Sequence, residues 1–407
     1  MYLTFAWRYF KAKKSANAIN IIAWVTVGVI AFATACQILV LSVFNGFEGL
    51  VKSLYSSFYT DIKIIPKKGK TFILAPAQIM LLKQQPGVKA FSMIVEEKAL
   101  LQNEEMQTIV YLKGVDANYA QVSGVAAKTE IGKFDIGDAE EPGLILGSGI
   151  QNAAGVSVDS KLGASVLTLI LPKKTVVSVS DPMQSLSEGN VKATGVFSIQ
   201  QDFDNKYAIT NIGFVKQQMG FATDEYSAAE IKLNEEGDVA KIQRQIAQQL
   251  GPAFKVQTKY EQNTSLYSTM KMEKWAIYAV LTLILFIAAF NMISALTMLV
   301  LEKQKDISVL QSMGADRRMI LKIFLSEGLL LASIGAAAGV CMALIVCLIQ
   351  IKFHLIKLQG GSFLIDYFPV QLQLSDFMLV ISTATVIAFL ASWFPARKAA
   401  NQIIELR

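Results

Sequence analysis

The chain is 407 residues long, 53% hydrophobic, and carries a formal charge of +6. Soluble domains are usually less apolar, and so small a charge gives no reason to expect nucleic acid as a partner. All three cysteines, Cys36, Cys341 and Cys347, lie in apolar runs, and His354 is the single histidine. The polar middle of the chain therefore has no means of forming a disulfide framework or cysteine metal site, and a zinc hydrolase or Ser-His-Asp triad is disfavoured. No catalytic or metal-ligating set is assigned.

In chain order, "MYLTFAWRYFKAKK" places Leu3, Trp7 and Phe10 on one helical face with Arg8 and Lys11 elsewhere. Residues 1–14 are predicted to lie as a helix in the cytoplasmic interface. Residues 15–47, 275–301, 328–351 and 377–396 contain no Asp, Glu, Lys or Arg. Each reaches the roughly 20 residues that cross about 30 Å of hydrocarbon, so spans are placed at 15–47, 274–301, 328–351 and 377–396. "AFATAC" before Cys36 looks like a lipoprotein cleavage box, but the apolar run continues past it, against cleavage. Arg8, Lys11, Lys13, Lys14, Lys303, Lys305, Arg317, Arg318, Lys322, Arg397, Lys398 and Arg407 fall on one side, and only Lys352 and Lys357 in the opposite short loop, 352–376. By the positive-inside rule both termini, with the tail 397–407, are cytoplasmic and residues 48–273 lie outside.

The outer segment pairs strand-like runs with amphipathic helices. "DIKIIP", "APAQIMLLKQQPG" and "VKAFSMIV" form one βαβ-like unit; "AAEIKL", "GDVAKIQRQIAQQLG" and "FKVQTK" form another. They predict an α+β subdomain of split βαβ type over 48–114 and 211–260, interrupted by a β-rich insertion over 115–210. Within the insertion a long polar loop holds Pro182. "KKGKT" at Lys67–Thr71 matches the end of a P-loop, but Ile64 stands where the first glycine belongs; "GSG" at 147–149 lacks the third glycine of a dinucleotide fingerprint. From Glu261 to Glu302 there is no glycine or proline. One helix there would be roughly 60 Å long, with 261–273 as an external stalk. Asn291, an amide inside the second span, should face another helix or a cavity. In the third span, Gly335 and Gly339 with Ala332 and Ala336 make a small-residue packing face.

Between spans two and three, 302–327 is a charged island. "EKQKDISVLQSM" is helix-like, with Ile307, Leu310 and Met313 at apolar spacing; Gly314 can end that helix and Asp316 can cap the next. Mixed charge suits a protein partner better than lipid headgroups.

"AAFNMISALTMLVLEKQKDISVLQSMGADRRMILKIFLSEG" resembles the second span, cytoplasmic helix and third-span entry of the lipoprotein-releasing (Lol) ABC permeases, within the FtsX/MacB-type permease group. "LSVFNGFE" and the closing "FPARKAA" resemble the same family at the same places. The resemblance covers the whole chain. It implies an α-helical membrane protein with four transmembrane helices and an α+β extracytoplasmic domain, in the bacterial inner membrane. It implies two permease subunits, identical or paralogous, and a cytoplasmic ABC ATPase dimer that binds ATP and Mg; this chain binds no cofactor itself. Asp306, Gly314, Ala315, Arg317 and Arg318 would meet the ATPase, and Glu327 would take a structural or coupling role. Asn45, Phe47 and Asn291 would lie near a cavity for the acyl chains of a triacylated lipoprotein drawn from membrane lipid. Val179, Pro182 and Met183 lie where one paralogue has a hook docking the periplasmic carrier, although the loop departs from the family's hooks in sequence. The alternatives are a MacB-type exporter, an FtsX-like regulator of a cell-wall hydrolase, and a receptor or structural membrane protein without an ATPase.

Overall fold

A computed structural model describes residues 17–158, 165–174, 185–234, 238–358 and 365–401. The chain divides into a helical unit, Met1–Leu50 with Ser268–Arg407, and a sheet unit, Val51–Tyr267.

The helical unit is built on four helices, Asn17–Phe58, Thr264–Glu302, Arg317–Phe353 and Leu374–Ala400. Each is long and apolar enough to cross a membrane. All four are longer than the uncharged runs that announce them. The second begins after Asn263, whose backbone (φ −137°, ψ 54°) separates it from a short helix at Lys259–Gln262. The helix expected to run unbroken from Glu261 is thus interrupted at its first turn. The fourth continues to Ala400 through the buried Pro395.

Close approach holds these helices together, as small residues allow in a bilayer. A Cβ on Gly335 would lie 2.9 Å from the Val27 carbonyl oxygen, and one on Gly339 2.4 Å from that of Ala31, so the third helix meets the first backbone to backbone. A Cβ on Gly328 would lie 2.8 Å from Leu296 of the second helix and 2.1 Å from Ser392 Oγ of the fourth. Val27, Ile30, Leu285, Met292, Leu331, Ile387 and Ala391 fill the shared core.

The sheet unit has strands β1 (Ile62–Pro66), β2 (Phe72–Ile73), β3 (Val88–Asn103), β4 (Met106–Val115), β5 (Thr129–Gly132), β6 (Gly143–Gly147), β7 (Val166–Pro172), β8 (Leu186–Phe197), β9 (Tyr207–Asn211), β10 (Glu225–Tyr226), β11 (Ala228–Leu233) and β12 (Phe254–Thr258). One ten-stranded sheet runs β12-β1-β11-β3-β4-β9-β6-β8-β5, with β7 joining β3 to β8; β2 and β10 pair separately. In the first stretch every neighbouring pair is antiparallel. Hence β1 and β3 are parallel with β11 between them, and β11 and β12 are parallel with β1 between them. Helices Pro76–Gln84 and Val239–Leu250 make these two crossovers. The second buries Ile242, Ile246 and Leu250, one per turn, is capped by Asp238, and ends at Gly251 with φ +77°.

The pairings β3-β4-β9-β6-β8-β7 return to β3 and close a cylinder of six strands. Val95, Leu101, Val110, Leu112, Leu144, Leu146, Leu167, Leu169 and Val191 belong to its apolar core. The stretch expected as a separate β-rich subdomain therefore shares β3 and β4 with the sheet beside it. Hydrophobic alternation identifies strands but carries no information about which two are shared.

Across β1, β11, β3 and β4 lies a buried charge network. Lys113 and Glu230, each with a side chain 2% exposed, pair at 2.7 Å. Lys113 Nζ also bonds Tyr119 Oη at 3.0 Å and lies 5.0 Å from the Phe58 ring centre. Lys63 pairs with Glu96 at 3.2 Å and sits 3.7 Å from Glu230. Burial pushes Lys113 toward neutrality, but Glu230, Tyr119 and Glu96 together outweigh it and hold the ammonium well above the usual lysine range.

Candidate functional site

The segment "LSVFNGFEGL" near the end of the first apolar run is where the helical unit becomes polar inside. Asn45 is 1% exposed. Its Nδ2 donates to Asp376 Oδ2 at 2.6 Å, and its Oδ1 accepts from Lys274 Nζ at 2.9 Å. Lys274 Nζ lies 3.1 Å from the Asp376 carboxylate. One amide thus bridges a cation on the second helix and an anion on the fourth. The charge-assisted bonds satisfy every strong group in the cluster, as burial demands.

The neighbouring residues receive the loop between helices three and four. Gly46 faces the Pro369 backbone so closely that a Cβ would sit 2.2 Å from its oxygen. Phe47 meets Phe368 edge to face at 5.8 Å. The Gln371 N–H donates to the Ser42 carbonyl at 2.9 Å. At the loop's other side Gln350 bonds the carbonyls of Ile356 and Phe368, at 3.0 and 3.2 Å. Asn45, Gly46 and Phe47 therefore act together as a docking strip inside the chain. Asn291, expected to face a helix or cavity, is exposed on the surface of the unit. Its position one residue before the fully buried Met292 turns it outward on a helix.

The island forms a helix at Gln304–Ser312, a turn in which Gly314 takes φ +92°, and the start of the third helix, where Asp316 accepts from the Met319 N–H at 2.7 Å. Ile307 is buried beside Leu299, Ile320 and Phe324. Asp306 pairs with Lys303 at 2.9 Å; Gly314, Arg317 and Arg318 are exposed and Ala315 half-buried. These five residues lie on one accessible helix–turn. Glu327 does not join them: it is buried, about 15 Å further along the third helix at 1.5 Å per residue. Val179, Pro182 and Met183 lie outside the described residues, as does the stretch 1–14.

Lys274 and Asp376 were not singled out by sequence reasoning. The signal existed: each immediately precedes an uncharged run, one basic and one acidic, at the ends away from the island. The Lys67–Thr71 segment leads into β2 rather than a helix, and Lys70 pairs with Glu97 at 3.0 Å, so it has no phosphate-cradling geometry. Among the described residues no group of three or more His, Cys, Asp or Glu could hold a metal.

Four apolar helices, with a mixed sheet domain inserted after the first and an accessible charged turn after the second, define a polytopic membrane protein carrying a large soluble domain. The MacB-like periplasmic core domain model matches residues 23–249, more than half of the chain, and the chain belongs to that family. The FtsX-like permease C-terminal model matches residues 278–403. The chain is 26% identical to the lipoprotein-releasing system transmembrane protein LolC of Xylella fastidiosa, over 97% of this chain and 95% of that one. It is 25% identical to the LolE protein of Haemophilus influenzae, over 97% and 96%. The periplasmic region of MacB from Actinobacillus actinomycetemcomitans aligns with 54% of this chain and 98% of its own, at 9% identity and a TM-score of 0.38.

Proposed function

We propose that this chain is the permease subunit of an ABC transporter that releases lipoproteins from the bacterial inner membrane, with ATP hydrolysis in a separate subunit. The observation that carries this reading is similarity along nearly the full length to transmembrane proteins of lipoprotein-releasing systems. The accessible helix–turn at Gln304–Arg318 supports the next step. It lies on the side with most of the short-loop lysines and arginines, the cytoplasmic side by charge bias. There Asp306, Gly314, Ala315, Arg317 and Arg318 seat in a groove of an ABC ATPase dimer that binds ATP and Mg.

In this reading the termini are cytoplasmic and the sheet unit is periplasmic, a split βαβ subdomain carrying a β-rich insertion. Nucleotide-driven closure of the ATPases moves the island, and the second helix carries that movement outward. A second permease, paralogous or identical, completes a chamber along helices one and two for the acyl chains. Asn291, exposed in this chain alone, gains its partner there. Extraction costs about 0.8 kcal/mol per CH2 brought into water, so a periplasmic carrier with an apolar pocket must take the lipid, docking at the loop that holds Val179, Pro182 and Met183.

The test is purification in mild detergent followed by release from vesicles. A nucleotidase and a triacylated lipoprotein should co-purify. Gly314→Pro, which cannot adopt φ +92°, and Arg317→Glu should abolish ATP-dependent release while the chain still accumulates in the membrane. Normal assembly and release in both variants would remove the island from coupling. A complex that never holds a nucleotidase would overturn the transporter reading.

A further inference from the structure

We propose that Asn45, Lys274 and Asp376 form a charge-dependent latch that fastens the second helix to the first and fourth at the end remote from the island. This rests on the transporter reading only for its nucleotide response.

The cluster is built rather than incidental. Three helices contribute one residue each, and all three polar side chains bond one another at 2.6 to 3.1 Å. The Asp376 side chain is 10% exposed and that of Lys274 25%. Opposite charges so placed attract more strongly than at an open surface, yet each is costly if left alone. One turn past Lys274 on the second helix and two turns past Asp376 on the fourth, Tyr278 and Thr383 hydrogen-bond through their hydroxyls, a second tie between helices two and four. Gln37 Nε2 of the first helix adds a bond to Thr282 Oγ1 at 3.1 Å; from Leu285 onward the second helix meets its neighbours through apolar contacts such as Leu285, Met292 and Leu296, and in a bilayer these gain little over contact with lipid tails. A polar bond has a partner or lacks one, so breaking this cluster is a discrete step between two positions of the helix. Asp376 and Lys274 are positioning residues: they set where the second helix rests and do not touch cargo.

Asn45 makes the idea unusually testable, because an amide donates on one side and accepts on the other. Exchanging the charges, Lys274→Asp with Asp376→Lys, is accommodated by turning that amide over. Moving the carboxylate, Asn45→Asp with Asp376→Asn, also keeps a cation, an anion and an amide together. Asp376→Asn alone leaves a half-buried ammonium with no counter-ion.

The experiment uses the full complex in lipid, with Tyr278→Cys and Thr383→Cys as a cross-linking pair on a background in which Cys36, Cys341 and Cys347 are replaced by serine or alanine. Without nucleotide, Asp376→Asn and Lys274→Gln should each lower cross-link yield roughly tenfold, as loss of one charge-assisted bond of about 1.4 kcal/mol gives. Both paired exchanges should return it to within about twofold. Yields unchanged in the single variants, or not rescued by either exchange, would overturn the latch. Adding ATP should lower the yield in the parent and leave the single variants unchanged. If the nucleotide-free series behaves as expected and ATP alone has no effect, the latch stands and the transporter reading fails.

Discussion

At Gly46 a missing side chain decides a tertiary contact. A methyl there would sit 2.2 Å from the Pro369 oxygen, whereas nothing lies within 4 Å of a Cβ at Gly28 on the same helix. Gly46→Ala should therefore destabilise the helical unit by about 1–3 kcal/mol, the usual range for overpacking. Gly28→Ala should be neutral or stabilising by up to about 1 kcal/mol. Thermal unfolding in detergent separates the two. The buried pair gives a second contrast. Lys113→Met removes the 2.7 Å partner of Glu230 and leaves it only Lys63 at 3.7 Å; it should cost about 3–5 kcal/mol, and adding Glu230→Leu should recover most of the loss. Acid should act through the same class of group. Burial works to raise the Glu96, Asp61 and Glu225 carboxyls, but their cations and hydrogen bonds prevail and hold all three below the usual carboxylate range. Their folded pKa values lie below the unfolded ones, so their stabilisation is present at neutral pH. It should fade as the pH falls from about 4 through the lowered values, seen as an unfolding temperature that holds from neutral pH and drops below about pH 4. Asp204, raised by burial, works against that trend.

Among elements, the sequence announced those with local causes. Apolar runs gave the four helices because a bilayer demands length and apolar composition, both of which are local. Gly314 and Asp316 gave the turn because a left-handed residue and a capping carboxylate act within a few residues. Asp316→Ala should accordingly loosen the start of the third helix by about 1 kcal/mol, read as faster amide exchange at Arg318 and Met319. Helix Val239–Leu250 was legible from its glycine end and its buried stripe. What was not legible depends on partners far away in sequence. Asn45 and Asp376 are 331 positions apart. The β3 to β7 pairing that shuts the cylinder joins Leu100 to Ile170. No periodicity within one window encodes either. Of the candidate site, the island's helix, its Gly314 turn and its Asp316 cap were legible, the "FNGFE" strip was found through resemblance without its purpose, and Lys274 and Asp376 were missed.

For the molecule as a whole, two units with separate cores predict two unfolding transitions. Lys113→Met should move only the sheet unit's transition, by roughly 10 °C, and Gly46→Ala only the other. Coincident shifts in both would mean that the units melt as one. The closed cylinder has a mechanical corollary. An open sheet can twist strand by strand, but a ring of strands must shear along every seam at once. β3, at 16 residues, is at the same time a stave of that ring and a member of the sheet alongside it. A force applied anywhere on this domain is therefore delivered elsewhere on it as displacement with little lost to bending: the sheet unit is a girder, not a spring.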